Sequence, residues 1–255
     1  MTRSSLLPCL IALGLLSCLP RTVSSASVGE MLQLLSLAEK SYAGVTDYTS
    51  VFVSRERIGG TLRPPETIQL KFQRPFKVYM KWVDGPSRGR EGLYVSGANN
   101  GRFFIHEPRG IQRFFTVALE PTDRRVMEES RHPVTDVGIG RLLEIVGTNA
   151  RRGAQAGVLQ VIDRGLGDVA GRRVRQVEAI LLRDAKAGYY CYRVLLAFDE
   201  ENHLPIRIVV YDWTDQVVEE YTHAQLQLNP GLTERDFDPE NREYGFSGWR
   251  IPISG

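Results

Sequence analysis

"RPFKVYMKWVDGPSRGREGLYVSGANNGRFFIHEPRGIQRFF", Arg74 to Phe115, is a series of short alternating runs cut by Gly, Pro and Asn. Val78, Met80 and Trp82 fall on one side of an extended chain, and Lys77, Tyr79 and Lys81 on the other. Leu93 and Val95 form the next run. "NNG" then turns the chain into "RFFIHE", and "PRG" turns it into "IQRFFTVAL". The stretch reads as an antiparallel meander.

The pattern extends in both directions. Upstream, "DYTSVFVSRERI" and "PPETIQLKFQ" read as strands; in the second, Ile68, Leu70 and Phe72 alternate with Thr67, Gln69 and Lys71. Before them, "SVGEMLQLLSLAEKSY" carries Met31, Leu34, Leu35, Ala38 and Tyr42 at helical spacing, with Ser27 and Glu30 placed as a capping box. That predicts a helix over Val28 to Ala43. Downstream, Ile139, Leu142, Leu143 and Val146 of "TDVGIGRLLEIVG" define a second amphipathic helix, with Thr135 or Asp136 as cap and Gly147 as stop. The segment from Arg151 to Gly171 fits either a helix or a strand pair.

Strands then return in "RRVRQVEAILL", "GYYCYRVLLAFD", "LPIRIVVYDW" and "VVEEYTHAQLQL", with a hairpin turn over Glu200 to His203. The Pro- and Gly-rich tail from Asn229 reads as a surface wrap. No internal repeat or low-complexity linker divides the chain. The expectation is an α+β fold in which one antiparallel sheet of eight or more strands curls around helices.

With 255 residues, 42% hydrophobic and 24% charged, the chain can bury a sizeable core without staples. Its first 26 residues are different. Arg3, an apolar run from Leu6 to Leu19 and a small-residue exit describe a signal peptide, leaving residues 27–255 as one domain. Cleavage after Ser25 or Ala26 gives a soluble exported protein. Alternatively, "LLSC" serves as a lipobox and Cys18 is acylated. Leu16 is bulky for a lipobox, which favours soluble release. Periplasmic or exported localisation follows in either case. The mature part holds no apolar run long enough for a transmembrane helix, though contact with a membrane is compatible with it.

Arg3 and Arg21 leave with the leader, which contains no acid, so thirty basic residues face thirty acidic ones in the remainder. Nucleic acid is therefore not an expected partner. Only Cys191 remains after cleavage, in the apolar run "YYCYRVLLAF", and reads as a core thiol.

Catalytic and metal motifs do not emerge. His106, His132, His203 and His223 share no ligand spacing, and no nucleophile elbow is present. "DFDPEN" lacks the glycine and terminal glutamate of a calcium loop. "GLGDVAG" lacks dinucleotide-binding spacing. No catalytic residue, metal ligand or cofactor is expected. An enzyme reading would need His106 or His132 to meet a carboxylate in a pocket.

Three phrases, "ERIGGTLRPPETIQLKFQRPFKVYMKWVDGPSRGREGLYV", "HPVTDVGIGRLLEIV" and "EEYTHAQLQLNPGLTERDFDPENREYGF", resemble an uncharacterised bacterial family, the domain of unknown function 1571. The likeness runs from about Tyr48 to Phe246 and carries no activity. More loosely, the layout resembles the lipoprotein-localisation carriers of outer-membrane sorting. That resemblance implies a half-barrel with helices in its concave face and a cavity for acyl chains. On this expectation Ile68, Leu70, Phe72, Val78, Met80 and Trp82 point inward, continued by Leu93, Val95, Phe103, Ile105 and Phe115. Leu142 faces them from the second helix, and Lys71, Lys77 and Lys81 face water. The expected partner is a hydrophobic small molecule or a lipoprotein acyl chain. The alternative is a cell-envelope interaction module, with an envelope protein as partner and the concave face filled by its own helices.

Overall fold

Ser27 opens the first helix as its spacing predicts: its hydroxyl accepts from the Glu30 amide at 3.1 Å, and its amide donates to the Glu30 carboxylate at 2.6 Å. This reciprocal pair satisfies two backbone donors at the start of α1, Val28–Ala43. The structure is a computed structural model that describes residues 27–246 and 248–252. The expected leader, with Cys9 and Cys18, lies outside the described residues.

A meander follows α1: β1 Asp47–Ile58, β2 Thr61–Leu62, β3 Glu66–Gln73, β4 Lys77–Asp84, β5 Glu91–Val95, β6 Phe103–His106 and β7 Thr116–Leu119. The short helix α2, Arg124–Met127, and then α3, Ile139–Gln155, interrupt it. A second meander comprises β8 Gln160–Val169, β9 Arg172–Ile180, β10 Arg193–Asp199, β11 Pro205–Tyr211 and β12 Val217–Leu228. A short β13, Arg250–Pro252, ends the described chain.

The two meanders meet where β1 pairs antiparallel with β12. The result is one open sheet in the order β13-β7-β6-β5-β4-β3-β1-β12-β11-β10-β9-β8, with β2 paired to β1 off this path. Every pairing is antiparallel except β13 with β7, which is parallel. The architecture is thus α+β, a curved half-barrel sheet with helices on its concave side.

Register fixes which residues face that side, because directly paired residues share a face. Phe52 pairs with both His223 and Ile68, Ile68 with Trp82, and Met80 with Gly92. Gly92 in turn pairs with Ile105, and Ile105 with Val117. Gly92 is small for a reason. A Cβ there would meet the Phe103 ring at 2.9 Å and Trp82 at 3.4 Å. Those two rings close over the strand.

Helix α3 departs from its expected bounds at both ends. It begins after Gly138, at φ 122°, a backbone conformation that side chains strain to adopt. Thr135 and Asp136 lie in a separate 3-10 turn, Val134–Asp136. The helix also runs through Gly147 to Gln155, because Ala150 and Gly153 continue its buried face. The ambiguous segment after Arg151 therefore divides into a helix end and β8.

The expectation that Lys71 and Lys77 face water fails, whereas Lys81 keeps 39% of its side chain exposed. The segment after Leu228 straps the convex side. Tyr244 stacks on Tyr79 at 3.9 Å, and Lys71 donates to Asp236 at 2.8 Å and to Tyr244 at 3.1 Å. Lys77 pairs with Glu234, and Lys81 lies 3.3 Å from the buried Glu91. Tyr79, Leu93, Phe104, Ala118 and Phe237 form a second core beneath this strap. These strands are apolar on both faces because both faces are covered.

Candidate functional site

The helices cover only part of the concave face. Met31, Leu35 and Ala38 of α1, with Ile139, Leu143 and Val146 of α3, pack on the sheet in the main core. Between α3 and the strands remains a cavity of about 1070 Å³. That is at the upper end of the roughly 300–1,000 Å³ usual for small-molecule sites. Its apolar wall is made by Phe52, Ile68, Met80, Trp82, Phe103, Ile105, Val117 and Leu119 on one side, and by Leu142, Ile145, Val146 and Ala150 of α3 on the other. Leu159, Ala179, Val194, Ile208 and Val210 extend it beneath the second meander.

Of the expected ligand-facing residues, Ile68, Met80, Trp82, Phe103, Ile105, Phe115 and Leu142 line this cavity. Leu70, Phe72 and Val78 share the concave core but are packed away from it. Phe72 stacks on Tyr48 at 5.1 Å, with Gly138 closing on its ring. Leu93 and Val95 point the other way, into the core under the C-terminal strap. The concave residues of β5 are instead Gly92 and Tyr94, which pair with Met80 and Val78. The misassignment arises because alternation marks two faces without saying which one is inside.

The polar end of the cavity was not legible from motifs. Glu56 and Glu219 are direct cross-strand neighbours on β1 and β12. Like charges so placed repel unless they are bridged. The segment after α2 bridges them. The Arg131 amide donates to Glu56 at 2.7 Å, and its side chain donates to Glu219 at 2.6 Å. Tyr190 donates to both oxygens of Glu219, at 2.7 and 2.8 Å, and His132 Nε2 lies 3.1 Å from it. Tyr221 donates to Glu56.

Burial raises the Glu219 pKa, but the hydrogen bonds from His132, Tyr190 and Arg131 outweigh it and hold the carboxyl below its ordinary value. Burial likewise pulls His132 down, and the hydrogen bond and charge of Glu219 more than reverse this. Burial and the Glu219 charge push Tyr190 well up, so it stays a donor. His132 thus meets a carboxylate, the encounter an enzyme reading requires. All of these side chains are, however, engaged with one another. The neighbouring Cys191 thiol is buried and pushed up to about 12, which leaves it un-ionised. Deeper in the cavity, His223 shares a hydrogen bond of 3.0 Å with Ser50 and is pushed down to about 4 by burial. The available signal was the inward phase of β12, where Glu219, Tyr221 and His223 alternate with outward residues. Among the described residues no group of His, Cys, Asp and Glu could hold a metal ion.

The mouth is polar. Glu66 accepts from the Ser87 amide at 3.1 Å and hydroxyl at 2.7 Å, fixing the β4–β5 turn. Arg90 lies 5.8 Å from the Trp82 ring and pairs with Glu107 at 2.7 Å and with Glu129.

The sequence pattern of the family described as "Protein of unknown function (DUF1571)" matches residues 45–246. The chain belongs to this DUF1571 family. No curated protein sequence matches it. Among solved structures, the lipoprotein LppX of Mycobacterium tuberculosis is similar over 83% of this chain and 100% of its own, at 11% identity and a TM-score of 0.51. This likeness shows a shared fold. MucB matches 84% of this chain at 17% identity and a TM-score of 0.47; the DUF1571 chain spans 63% of MucB's length. A LolA superfamily protein of Nitrosomonas europaea matches 81% of this chain and 96% of its own, at 11% identity and a TM-score of 0.34. No helix among the described residues is long and apolar enough to cross a membrane.

Proposed function

We propose that this DUF1571 protein is a non-enzymatic exported carrier or binding protein for a hydrophobic ligand, a lipid or lipoprotein acyl chain, held in the concave cavity. One observation carries the reading: the helices leave apolar residues of β3, β4, β6 and β7 facing about 1070 Å³ of unfilled space. Uncovered apolar surface of this kind is stabilised by removing it from water, at roughly 25 cal/mol per Å². A flexible acyl chain suits a wall of Met80, Trp82, Phe103 and Ile105, whose contacts are non-directional. Leu70, Phe72 and Val78 would support that wall from within the core.

Native mass spectrometry of protein purified from its own envelope without detergent tests this. The expected result is a non-covalent adduct of lipid mass that Trp82→Arg removes while the circular dichroism of the fold is retained. A clean ligand-free mass, together with failure to bind a fluorescent fatty-acid probe, sinks the carrier reading and leaves the envelope interaction module. The denaturing mass of the same sample distinguishes a chain beginning at Ser27 from one acylated on Cys18.

A further inference from the structure

The loop joining β6 to β7 has a composition that packing does not explain. Ile111 is 75% exposed and Phe114 62%. They sit in the 3-10 turn Ile111–Phe114; Trp249, immediately before β13, is 79% exposed, and Ile251 within β13 is 41% exposed. The parallel pairing of Arg250 with Thr116 brings both stretches to one sheet edge. Arg109 and Arg113 are exposed on the same loop, and neither forms an ion pair among the described residues. The Arg113 guanidinium lies 4.5 Å from the Phe114 ring. Large apolar side chains beside unpaired arginines are what a lipid headgroup region accommodates: rings and aliphatic groups enter the acyl boundary while guanidinium groups meet phosphate. The loop is also continuous with the cavity, since Arg109, Gln112 and Phe115 line its mouth.

We propose that this edge, the loop Arg109–Phe114 with Trp249 and Ile251, docks on a bilayer surface containing anionic lipid. Surface binding rests on the patch alone. Its purpose, passing a hydrophobic ligand between bilayer and cavity without exposure to water, rests on the carrier reading. Charge complementarity selects an anionic surface over a neutral one, because the two arginines add attraction only where phosphate is in excess.

The test uses residues 27–255, which carry the whole described fold and exclude the leader. Co-sedimentation is measured with vesicles of phosphatidylcholine alone and of phosphatidylcholine mixed with phosphatidylglycerol. Binding to the mixed vesicles is expected. Ile111→Asp with Phe114→Asp should weaken it at least about tenfold by removing the inserted apolar surface. Arg109→Gln with Arg113→Gln should weaken it about fivefold per arginine and abolish the preference for the mixed vesicles. Circular dichroism should be unchanged in both variants, and fatty-acid probe binding measured without vesicles should be unchanged in the aspartate pair, because Ile111 and Phe114 are exposed and lie outside the cavity lining. Wild-type protein that stays in the supernatant with every vesicle overturns the proposal and assigns the patch to a protein partner. Binding that the aspartate pair leaves intact overturns it as well. Failure of the probe arm alone removes the carrier reading and leaves the docking surface standing.

Discussion

His223 and Glu219 lie on the same inward phase of β12 and respond to pH in different ways. His223 is 6% exposed, and its folded pKa of about 4 is below the ordinary 6.5. A histidine shifted down gives stability that is full above 6.5 and is lost as pH falls towards 4, since the unfolded chain takes up the proton first. The expected loss is about 3 kcal/mol between pH 7 and pH 4. Urea midpoints of wild type and His223→Gln at both pH values measure it; an identical pH dependence in the two would refute the assignment. Glu219, held below 4.5, gives stability present above 4.5 and lost as pH falls through its folded value. His132, held above 6.5, gives stability fully present below 6.5 and lost as pH rises through its folded value. That pair is most favourable between 4.5 and 6.5. Glu219→Ala, which strands Arg131, should cost about 3 kcal/mol in urea unfolding at pH 6.

Two elements were assigned correctly from sequence for different physical reasons, and a third only in part. The α1 bounds follow from a local capping box and a 3.6-residue stripe, both of which survive without tertiary context. The β10–β11 hairpin follows from its turn, where the Asp199 carboxylate accepts from the Glu201 amide at 2.8 Å and the Asn202 amide at 3.2 Å. The α3 bounds did not follow, because Gly138 acts as its cap through backbone conformation and through its fit against Phe72 and Tyr48. Gly138→Ala should cost about 1–3 kcal/mol by thermal unfolding, from the positive φ and the crowded rings. The C-terminal strap makes the opposite test. Tyr244→Ala removes the stack on Tyr79 and should cost about 2 kcal/mol. Fatty-acid probe affinity should stay unchanged, since the strap lies on the convex side; a parallel loss of affinity would show that the two faces are coupled.

For the whole molecule, the sheet is stabilised on both sides while its concave space is not fully filled. A ligand that binds only the folded state adds about 2.7 kcal/mol at a hundredfold excess over its Kd. Removing any co-purified lipid should therefore lower Tm, and adding back a fatty acid should restore it in wild type but not in Met80→Asp. A delipidated protein with an unchanged Tm would indicate a cavity that takes no ligand. The same wild-type sample should lose stability on acidification through His223 whether or not the cavity is filled.

The sequence by itself determined the α+β class, the meanders, the first helix and the inward phase of β3 and β4. These depend on neighbours within a few positions, and periodicity records them directly. Only the tertiary structure decided that Leu93 and Val95 face the strap, that Lys71 and Lys77 are covered, and that Glu56 and Glu219 share one clamp. Each of these depends on a pairing or a covering segment far away in the chain. A strand with two apolar faces carries no local mark of which face is inside, so that choice is made only when the rest of the chain packs against it.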